Sequence, residues 1–353
     1  MSQDYTASSI EILEGLEAVR KRLGMYIGST DQKGMHHLVW EILDNAIDEA
    51  LNGHGDKIEI TILDDQSVKI RDYGRGMPVA KHQSGVSALE VIFTVLHAGG
   101  KFSEAGGYKT SGGLHGVGAA VVNALSKALK VTVYQNGYAH SMTFENGGHV
   151  ASSLKKEKSN EKQGSEVIFV ADETIFTHAR FSFQTISERV QESAFLLPGI
   201  TFEVQDLRTE QSQTFAYQDG LKAFMENIHE GQKTLGDIML IRGEKDEIGV
   251  QLALQYNDGY HEDIYSYVNL VRTQDGGSHV VGFRSAFTKV MNDFARKHHI
   301  LKEKDANFEG RDVREGLSAI ISVSIPEHLL QFEGQTKSKL GTPSARMVVD
   351  QVI

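Results

Sequence analysis

The stretch from His36 to Asn52, HHLVWEILDNAIDEALN, constrains the fold more than any other. Val39, Ile42, Leu43, Ala46 and Ala50 recur at helical spacing, which predicts an amphipathic helix with one apolar stripe on a core. Glu41, Asn45 and Asp48 or Glu49 recur at intervals of three and four on a different face. An amide one turn from a carboxylate, with more carboxylates beyond it, has two readings. It is the wet face of a surface helix, or it is the floor of a polar site.

The segments around this helix favour a site. Upstream, Ser8 or Ser9 caps a predicted helix with Ile12, Leu16 and Val19 inside. The polar arm before it, with Tyr5 and Ile10, either packs on another surface or stays unfolded. Arg20 to Gly34 reads as a basic, glycine-punctuated loop. Lys57 to Leu63 and Ser67 to Asp72 alternate as strands around an Asp64-Asp65 turn. The second runs straight into Asp72-Tyr73-Gly74-Arg75-Gly76-Met77-Pro78, where glycines two apart let the backbone approach a ligand. After a helix at Ala88 to His97 comes a glycine-rich stretch, Ala98 to Gly113, longer than ordinary connections and typical of a lid. It continues through Gly112 to Gly118 into a helix that runs to about Ser126. A glycine nest opening onto a helix N-terminus presents free N–H groups to an anion.

Further on, strands are read at Leu129 to Tyr134 and Ala139 to Glu145, around Gln135-Asn136-Gly137, and at Ser165 to Val170 and Thr201 to Val204. Lys155 to Lys162 reads as a surface turn and Phe183 to Phe195 as a helix. Antiparallel strands with helices on one face make an α+β sandwich, unlike the repeating βαβ of a dinucleotide fold. A chain of 353 residues suits two cores. The boundary is placed between Phe215 and Gly220, giving units 1–217 and 218–353. The second has strands at Gly249 to Tyr256, Ile264 to Leu270 and Ala319 to Ile325. It also has a helix at Gly282 to His298 that carries Arg284, Lys289, Arg296 and Lys297. Its loop QFEGQTKSKLGT, Gln331 to Thr342, holds lysines that reach for a partner.

Composition removes several function classes. The absence of cysteine excludes disulfides and thiolate metal sites and suits a reducing compartment. MSQDYTASS lacks the basic start and apolar run of a leader, and no stretch is apolar enough to span a bilayer, so a cytoplasmic protein with no membrane partner is expected. The net charge of −11 argues against a nucleic-acid footprint over the whole surface but leaves room for a local basic channel. The P-loop, Rossmann, HExxH and nucleophile-elbow patterns are all absent.

What remains fits an ATPase. Gly112 to Gly118 supplies phosphate donors, Asn45 a hard oxygen for magnesium, and Glu41 a carboxylate to place or deprotonate water. Asp72 supplies an acceptor for the adenine amino group. Lys337 supplies a positive group for a γ-phosphate, which would couple nucleotide state to domain orientation.

On these residues the chain resembles the ATPase subunit of the bacterial type IIA DNA topoisomerases, in the GHKL (Bergerat) superfamily shared by gyrase, Hsp90, histidine kinases and MutL. Glu41-Ile42-Leu43-Asp44-Asn45 matches the first superfamily motif, Asp72-Tyr73-Gly74-Arg75-Gly76 the DxGxG motif, and Gly112 to Gly118 the glycine lid. LHAGGKF (96–102), YKTSGGLHGVG (108–118) and QFEGQTKSKLG (331–341) are nearly verbatim signatures. The resemblance implies a GHKL α/β sandwich followed by a transducer domain like the second domain of ribosomal protein S5, with ATP and Mg2+ as ligands. It assigns Glu41 as general base, His37 as the residue that orients it, Asn45 as magnesium ligand and Asp72 as adenine receptor. Glu49, Arg75, Gly76, Pro78 and Ser165 then surround the adenine. Lys101, Tyr108, Gly113, Leu114, His115, Gly116, Val117 and Gly118 form the lid and its phosphate contacts. Tyr5 and Ile10 belong to an arm that crosses to the other protomer, and Gln335 with Lys337 senses the γ-phosphate.

Of two paralogues, Arg75 to Pro78, Tyr108 to Ser111 and Gly341 to Arg346 are spelled more like the ParE-type chain of topoisomerase IV from Gram-positive bacteria than like gyrase B. The resemblance then implies ATP-driven decatenation and relaxation of double-stranded DNA, and a homodimer closed by ATP. It also implies a heterotetramer with the DNA-cleaving ParC-type chain of topoisomerase IV, and inhibition by ATP-competitive ligands such as aminocoumarins. Gyrase B, which supercoils, is the alternative, and a nucleotide-switched clamp without hydrolysis is a further one. Three residues depart from the family pattern. Leu23 replaces a frequent proline, which should keep the loop. Ser165 replaces threonine but keeps the hydroxyl, so binding is expected to survive. Gln135 stands about where some gyrases carry arginine, so coumarins are expected to bind less tightly. Each residue has a plainer reading alone: His37 and His115 as structural histidines, Asp72 as a turn cap, Lys337 and Lys339 as solvated. Jointly, their spacings reproduce one site.

Overall fold

The computed structural model describes residues 13–100, 113, 116–334 and 336–353. The described chain opens with α1 (Gly15–Lys21), α2 (Leu23–Ile27) and α3 (Gln32–Leu51). α2 lies inside the expected loop, and Leu23 is its first residue, a position where proline is favoured because no helical bond needs its N–H. α3 is the predicted organising helix begun a turn early. The Asp31 carboxylate caps it by accepting from the N–H groups of Lys33 and Gly34 at 2.9 and 3.2 Å. Leu38, Val39, Ile42, Leu43, Ala46 and Ile47 are buried, but so are Glu41 and Asp48, which removes the wet-face reading.

The chain continues through β1 (Lys57–Ile62), β2 (Val68–Asp72), α4 (Ala88–Thr94), α5 (Gly118–Ala124), β3 (Ser126–Gln135), β4 (Tyr138–Glu145), β5 (His149–Lys158), β6 (Gly164–Ala171), α6 (Phe183–Leu196), β7 (Thr201–Asp206) and β8 (Gln211–Phe215). These strands form one sheet in the order β5-β4-β3-β6-β2-β1-β7-β8. Only β1 and β7 run parallel. β5 corrects the reading of Lys155 to Lys162 as a turn: the strand reaches Lys158 on the sheet edge. Its charged side chains hid it, and they suit an edge that must not pair with another chain. The Lys156 ammonium lies 3.9 Å from the Tyr138 ring centre.

A second sheet follows. α7 (Leu221–Ile228) leads into β9 (Thr234–Lys245), β10 (Ile248–Asn257), β11 (Asp263–Val268) and β12 (Val271–Arg272). Then come α8 (Ser278–Lys297), α9 (Gly310–Arg314), β13 (Leu317–Ser324) and α10 (Pro343–Val352). The order is β12-β11-β13-β10-β9, with β11 parallel to β13. Phe283, Phe287, Val348 and Val349 pack α8 and α10 onto Val250, Leu252 and Ile321. β8 ends at Phe215 and α7 begins at Leu221. Across that gap Phe195 of α6 stacks on Tyr217 and Phe224 at 3.9 and 4.8 Å, joining the two layers. On the basic helix, Arg284 is spent on Glu262 at 3.0 Å. Among the described residues no helix is long and apolar enough to cross a membrane.

One buried polar network fixes α7. His229, its C-cap, lies 2.7 Å from Gln255 Oε1 through Nδ1 and 2.8 Å from Ser318 Oγ through Nε2. His229→Leu leaves Gln255 Oε1 without this partner and Ser318 Oγ with only the Asn257 Nδ2 bond at 3.3 Å, so urea unfolding should show a loss of about 1–3 kcal/mol. ATP turnover at low denaturant should stay unchanged.

Candidate functional site

α3, the end of β2, the start of β6 and the start of α5 enclose a cavity of about 380 Å³. Glu41, Asn45 and Glu49 form its floor, as their helical spacing requires. Eight residues of helix separate Glu41 from Glu49, so the floor is about 12 Å long. Its two ends differ.

At the Glu49 end, Asp72 finishes β2 and is buried. Its Oδ1 accepts from the N–H groups of Gly74 at 2.9 Å and Ser165 at 3.2 Å. Both bonds fall on Oδ1, which leaves Oδ2 as an acceptor for a ligand donor. Burial pushes the carboxyl up to about 6, the two N–H groups pulling against it and the Glu49 charge adding to it. The Ser165 hydroxyl accepts from the Met77 N–H at 3.0 Å, so its own proton remains to donate. Arg75 grips Glu49 in a fork, Nη2 to Oε1 at 2.8 Å and Nε to Oε2 at 3.1 Å. Gly76 turns the chain at φ 82°, where a Cβ would press on Val133. Pro78 lines the same rim, and Ile70, Ile92 and Val167 make an apolar wall.

At the other end, Glu41 is only 9% exposed. His37 Nε2 stands 3.1 Å from Glu41 Oε1, out of line for a hydrogen bond. α5 starts at Gly118 directly against this carboxylate, and a Cβ there would overlap Glu41 Oε2. Gly113, Gly116, Val117 and Gly118 line the cavity beside it. Lys337 enters from the second sheet's side, 4% exposed and in the left-handed region at φ 54°. Burial alone would lower its pKa, but Glu41, Asp44 and Asp48 outweigh burial and hold it above the ordinary lysine value.

Sequence reasoning left Asp48 as an alternative to Glu49 and missed two neighbours, Asp44 and Arg189. Asp48 is not interchangeable with Glu49: it is buried and its Oδ2 accepts from the Gly113 N–H at 3.3 Å. Asp44, between two motif residues, turns away from the cavity toward Arg189 of α6 at 3.5 Å. Burial raises the Asp44 carboxyl, with Arg189 and Lys337 pulling it back. The α3 motif gave a signal for both aspartates, whereas Arg189 comes from a distant helix without one. Of the two lysines expected to reach a partner, Lys339 instead lies exposed on Glu333 at 3.0 Å. Gln135 ends β3 and is not among the cavity-lining residues. Tyr5, Ile10, Lys101, Tyr108, Leu114, His115 and Gln335 lie outside the described residues.

A two-ended cavity, with an acceptor and hydroxyl at one end and a carboxylate, a lysine and a helix N-terminus at the other, suits a nucleotide. Known proteins agree. A family model described as histidine kinase-, DNA gyrase B- and HSP90-like ATPase matches residues 30–175, and one described as DNA gyrase B matches residues 220–353. The 43K ATPase domain of Thermus thermophilus gyrase B, solved with an aminocoumarin, is 37% identical with a TM-score of 0.79, over 96% of this chain and 87% of that one. The chain belongs to the gyrase B and topoisomerase IV B family of ATPases. A topoisomerase IV ATP-binding domain from Francisella tularensis, solved with a small-molecule inhibitor, has a TM-score of 0.77 at 29% identity, over 97% of this chain and 92% of that one. The DNA topoisomerase 4 B protein of Enterococcus faecalis is 54% identical over 100% of this chain and 52% of its own length. Its Staphylococcus aureus counterpart is 55% identical over 99% and 53%. Within the family, the likeness to topoisomerase IV B read from residues 75–78 and 341–346 stands. The chain spans about half the length of these curated relatives.

Proposed function

We propose that this chain is the ATP-operated gate of a topoisomerase IV, with residues 1–217 as the ATPase unit and 218–353 as the transducer. The observation that carries the reading is the meeting of Glu41, Asn45, Asp72, the α5 N-terminus and Lys337 around one cavity. Asp72 Oδ2 accepts from the adenine amino group, and Ser165 supports the ring edge. The N–H groups at Gly116 to Gly118 receive phosphate oxygens. Glu41, with His37 beside it, takes the proton of the attacking water. Lys337 faces the terminal phosphate and stabilises the charge that develops there. Asn45 fits a magnesium ion, which when bound supplies positive charge to the phosphate oxygens and keeps several waters. Among the described residues no cluster of three or more acidic or histidine side chains would hold a metal alone, in keeping with a site completed by phosphates.

The Asp72 carboxyl makes this reading sensitive to pH. Its folded value, about 6, lies above the ordinary 3.8. The folded protein therefore binds more protons than the unfolded chain between about 4 and 6, and this group's contribution to stability falls as pH rises through that window. Adenine needs the ionised form, so nucleotide affinity should fall as pH drops below about 6, approaching tenfold per pH unit. Calorimetric titration with a non-hydrolysable ATP analogue across that range checks it. Asp72→Asn should bind weakly and lose the slope.

The whole enzyme extends the proposal. Two copies of the chain close on ATP around a double-stranded DNA segment, the ParC-type chain of topoisomerase IV cuts the gate segment, and decatenation and relaxation follow. ATP-competitive inhibitors, aminocoumarins among them, would occupy the same cavity. Reconstitution of the full-length protein with its ParC-type partner tests this. ATP-dependent decatenation without supercoiling supports topoisomerase IV, and supercoiling would assign the chain to gyrase. Absence of ATP hydrolysis in the wild type would overturn both.

A further inference from the structure

The cavity's polar end does not stop at Lys337. Behind it, Asp44 holds Arg189 of α6 at 3.5 Å. One turn along α6, Glu192 Oε1 accepts from Arg272 of β12 at 2.7 Å. Arg272 begins the turn that leads to Thr273 and Asp275. The Asp275 N–H donates to Ser338 O at 2.9 Å, the Leu340 N–H to Gly276 O at 3.0 Å, and the Ser278 N–H to Leu340 O at 3.1 Å. These bonds grip the chain just past Lys337. A closed ring therefore runs from Lys337 past Asp44 to α6, across to the second sheet, and back through its loop to Lys337.

The ring is under-satisfied where it crosses. Arg189 Nη1 is buried without a hydrogen-bond partner among the described residues, while the Glu192 carboxylate faces the Tyr267 hydroxyl. Tyr267 is fully buried on β11, with Glu192, Arg272 and Arg189 all acting on its hydroxyl. The unpaired Arg189 Nη1 disfavours this arrangement by the desolvation of a group that a small shift would pair. Arg189 Nη1 donating to Glu192 Oε2 would pair it. The aromatic stack of Phe195, Tyr217 and Phe224, one turn further on α6, holds the layers together while such re-pairing takes place.

We propose that Arg189 and Glu192 are positioning residues: they transmit the engagement of Lys337 with a phosphate to the second sheet by re-pairing across the α6 crossing. The inference rests on the reading of the cavity as an ATP site. Neither residue lines the cavity, so neither touches the nucleotide. An ATP phosphate that draws Lys337 away from Asp44 leaves Asp44 to pair more closely with Arg189. Arg189 then moves relative to Glu192, and Glu192 carries Arg272 with it.

The test uses the two-unit chain with Arg189→Met, Arg189→Lys, the isosteric Glu192→Gln, and Arg272→Met. Steady-state ATPase is measured beside affinity for a non-hydrolysable ATP analogue. A fluorophore pair, one on each sheet, reports the analogue-induced change in spacing. Arg189→Met, Glu192→Gln and Arg272→Met should each lower kcat by about five- to tenfold and halve the spacing change, with analogue affinity within about threefold. Arg189→Lys should recover part of both. A full spacing change and wild-type kcat in Glu192→Gln and Arg272→Met would overturn the proposal, as would parallel losses of affinity and kcat without rescue by lysine. Absent hydrolysis in the wild type would instead sink the ATPase reading, and the spacing measurement would still judge the ring.

Discussion

Glu41→Ala is expected to keep nucleotide binding within about threefold and to cut turnover by about 10²–10⁴-fold, the usual worth of a positioned general base. The geometry gives the reason. Glu41 is a buried carboxylate at the cavity end where α5 begins, too far along α3 to share in holding the base at Asp72. On the proposed reading, removing it takes away the proton acceptor and leaves the phosphate donors in place. Single-turnover hydrolysis beside equilibrium binding of an ATP analogue separates the two effects. Hydrolysis at the wild-type rate in Glu41→Ala would show that another group takes the proton. Gly118 provides an independent check. A methyl group there would overlap Glu41 Oε2, so Gly118→Ala should slow turnover by displacing the carboxylate. In the Glu41→Ala background only the Cβ at position 41, 3.3 Å away, remains to press on the new methyl group, so its further effect on turnover should be small, a strongly non-additive pair.

The parts of this site that could be read from the sequence are those in which chemistry and local geometry coincide. α3 carries its own apolar stripe and its own cap, and three cavity-lining positions recur on it at helical spacing, so one segment pointed to both fold and site. Asp72 was legible because it ends a strand with a regular alternation and is followed by glycines. Lys337 was read as a group for a γ-phosphate from a lysine in a glycine-marked loop and from the signature around it, but not as a buried residue. That it is buried, while Lys339 two residues on lies on the surface, follows from the grip of residues 273–278 on its loop, a long-range contact with no local signal. β5 and β9 were illegible for opposite reasons. β5 is an edge strand whose Lys and Glu residues mask its alternation. β9 is an edge strand of the second sheet, with Leu235, Met239 and Leu240 exposed, so burial imposes no period on it. Arg189 was invisible because only the packing of α6 beside α3 brings it to Asp44.

Lys337→Met should lower kcat by about 10²–10³-fold, the cost of removing one preorganised positive group from a developing charge. The nucleotide-free protein should respond as well. Lys337 keeps its proton in spite of burial because Glu41, Asp44 and Asp48 surround it, and in return it offsets their mutual repulsion. Methionine fills the volume but leaves three carboxylates without that charge. The Asp44 carboxyl, already raised by burial, should rise further, with Arg189 left to balance it. Asp44→Asn in the Lys337→Met background removes one of the repelling charges. If the lysine balances the acidic cluster, the double variant should unfold at higher urea than Lys337→Met alone, although Asp44→Asn by itself destabilises by breaking its contact with Arg189. Turnover should not recover in the double variant, because the charge lost to the phosphate is not restored. Recovery of kcat together with stability would mean that Lys337 serves only to hold the acidic helix, and that the group facing the terminal phosphate lies elsewhere.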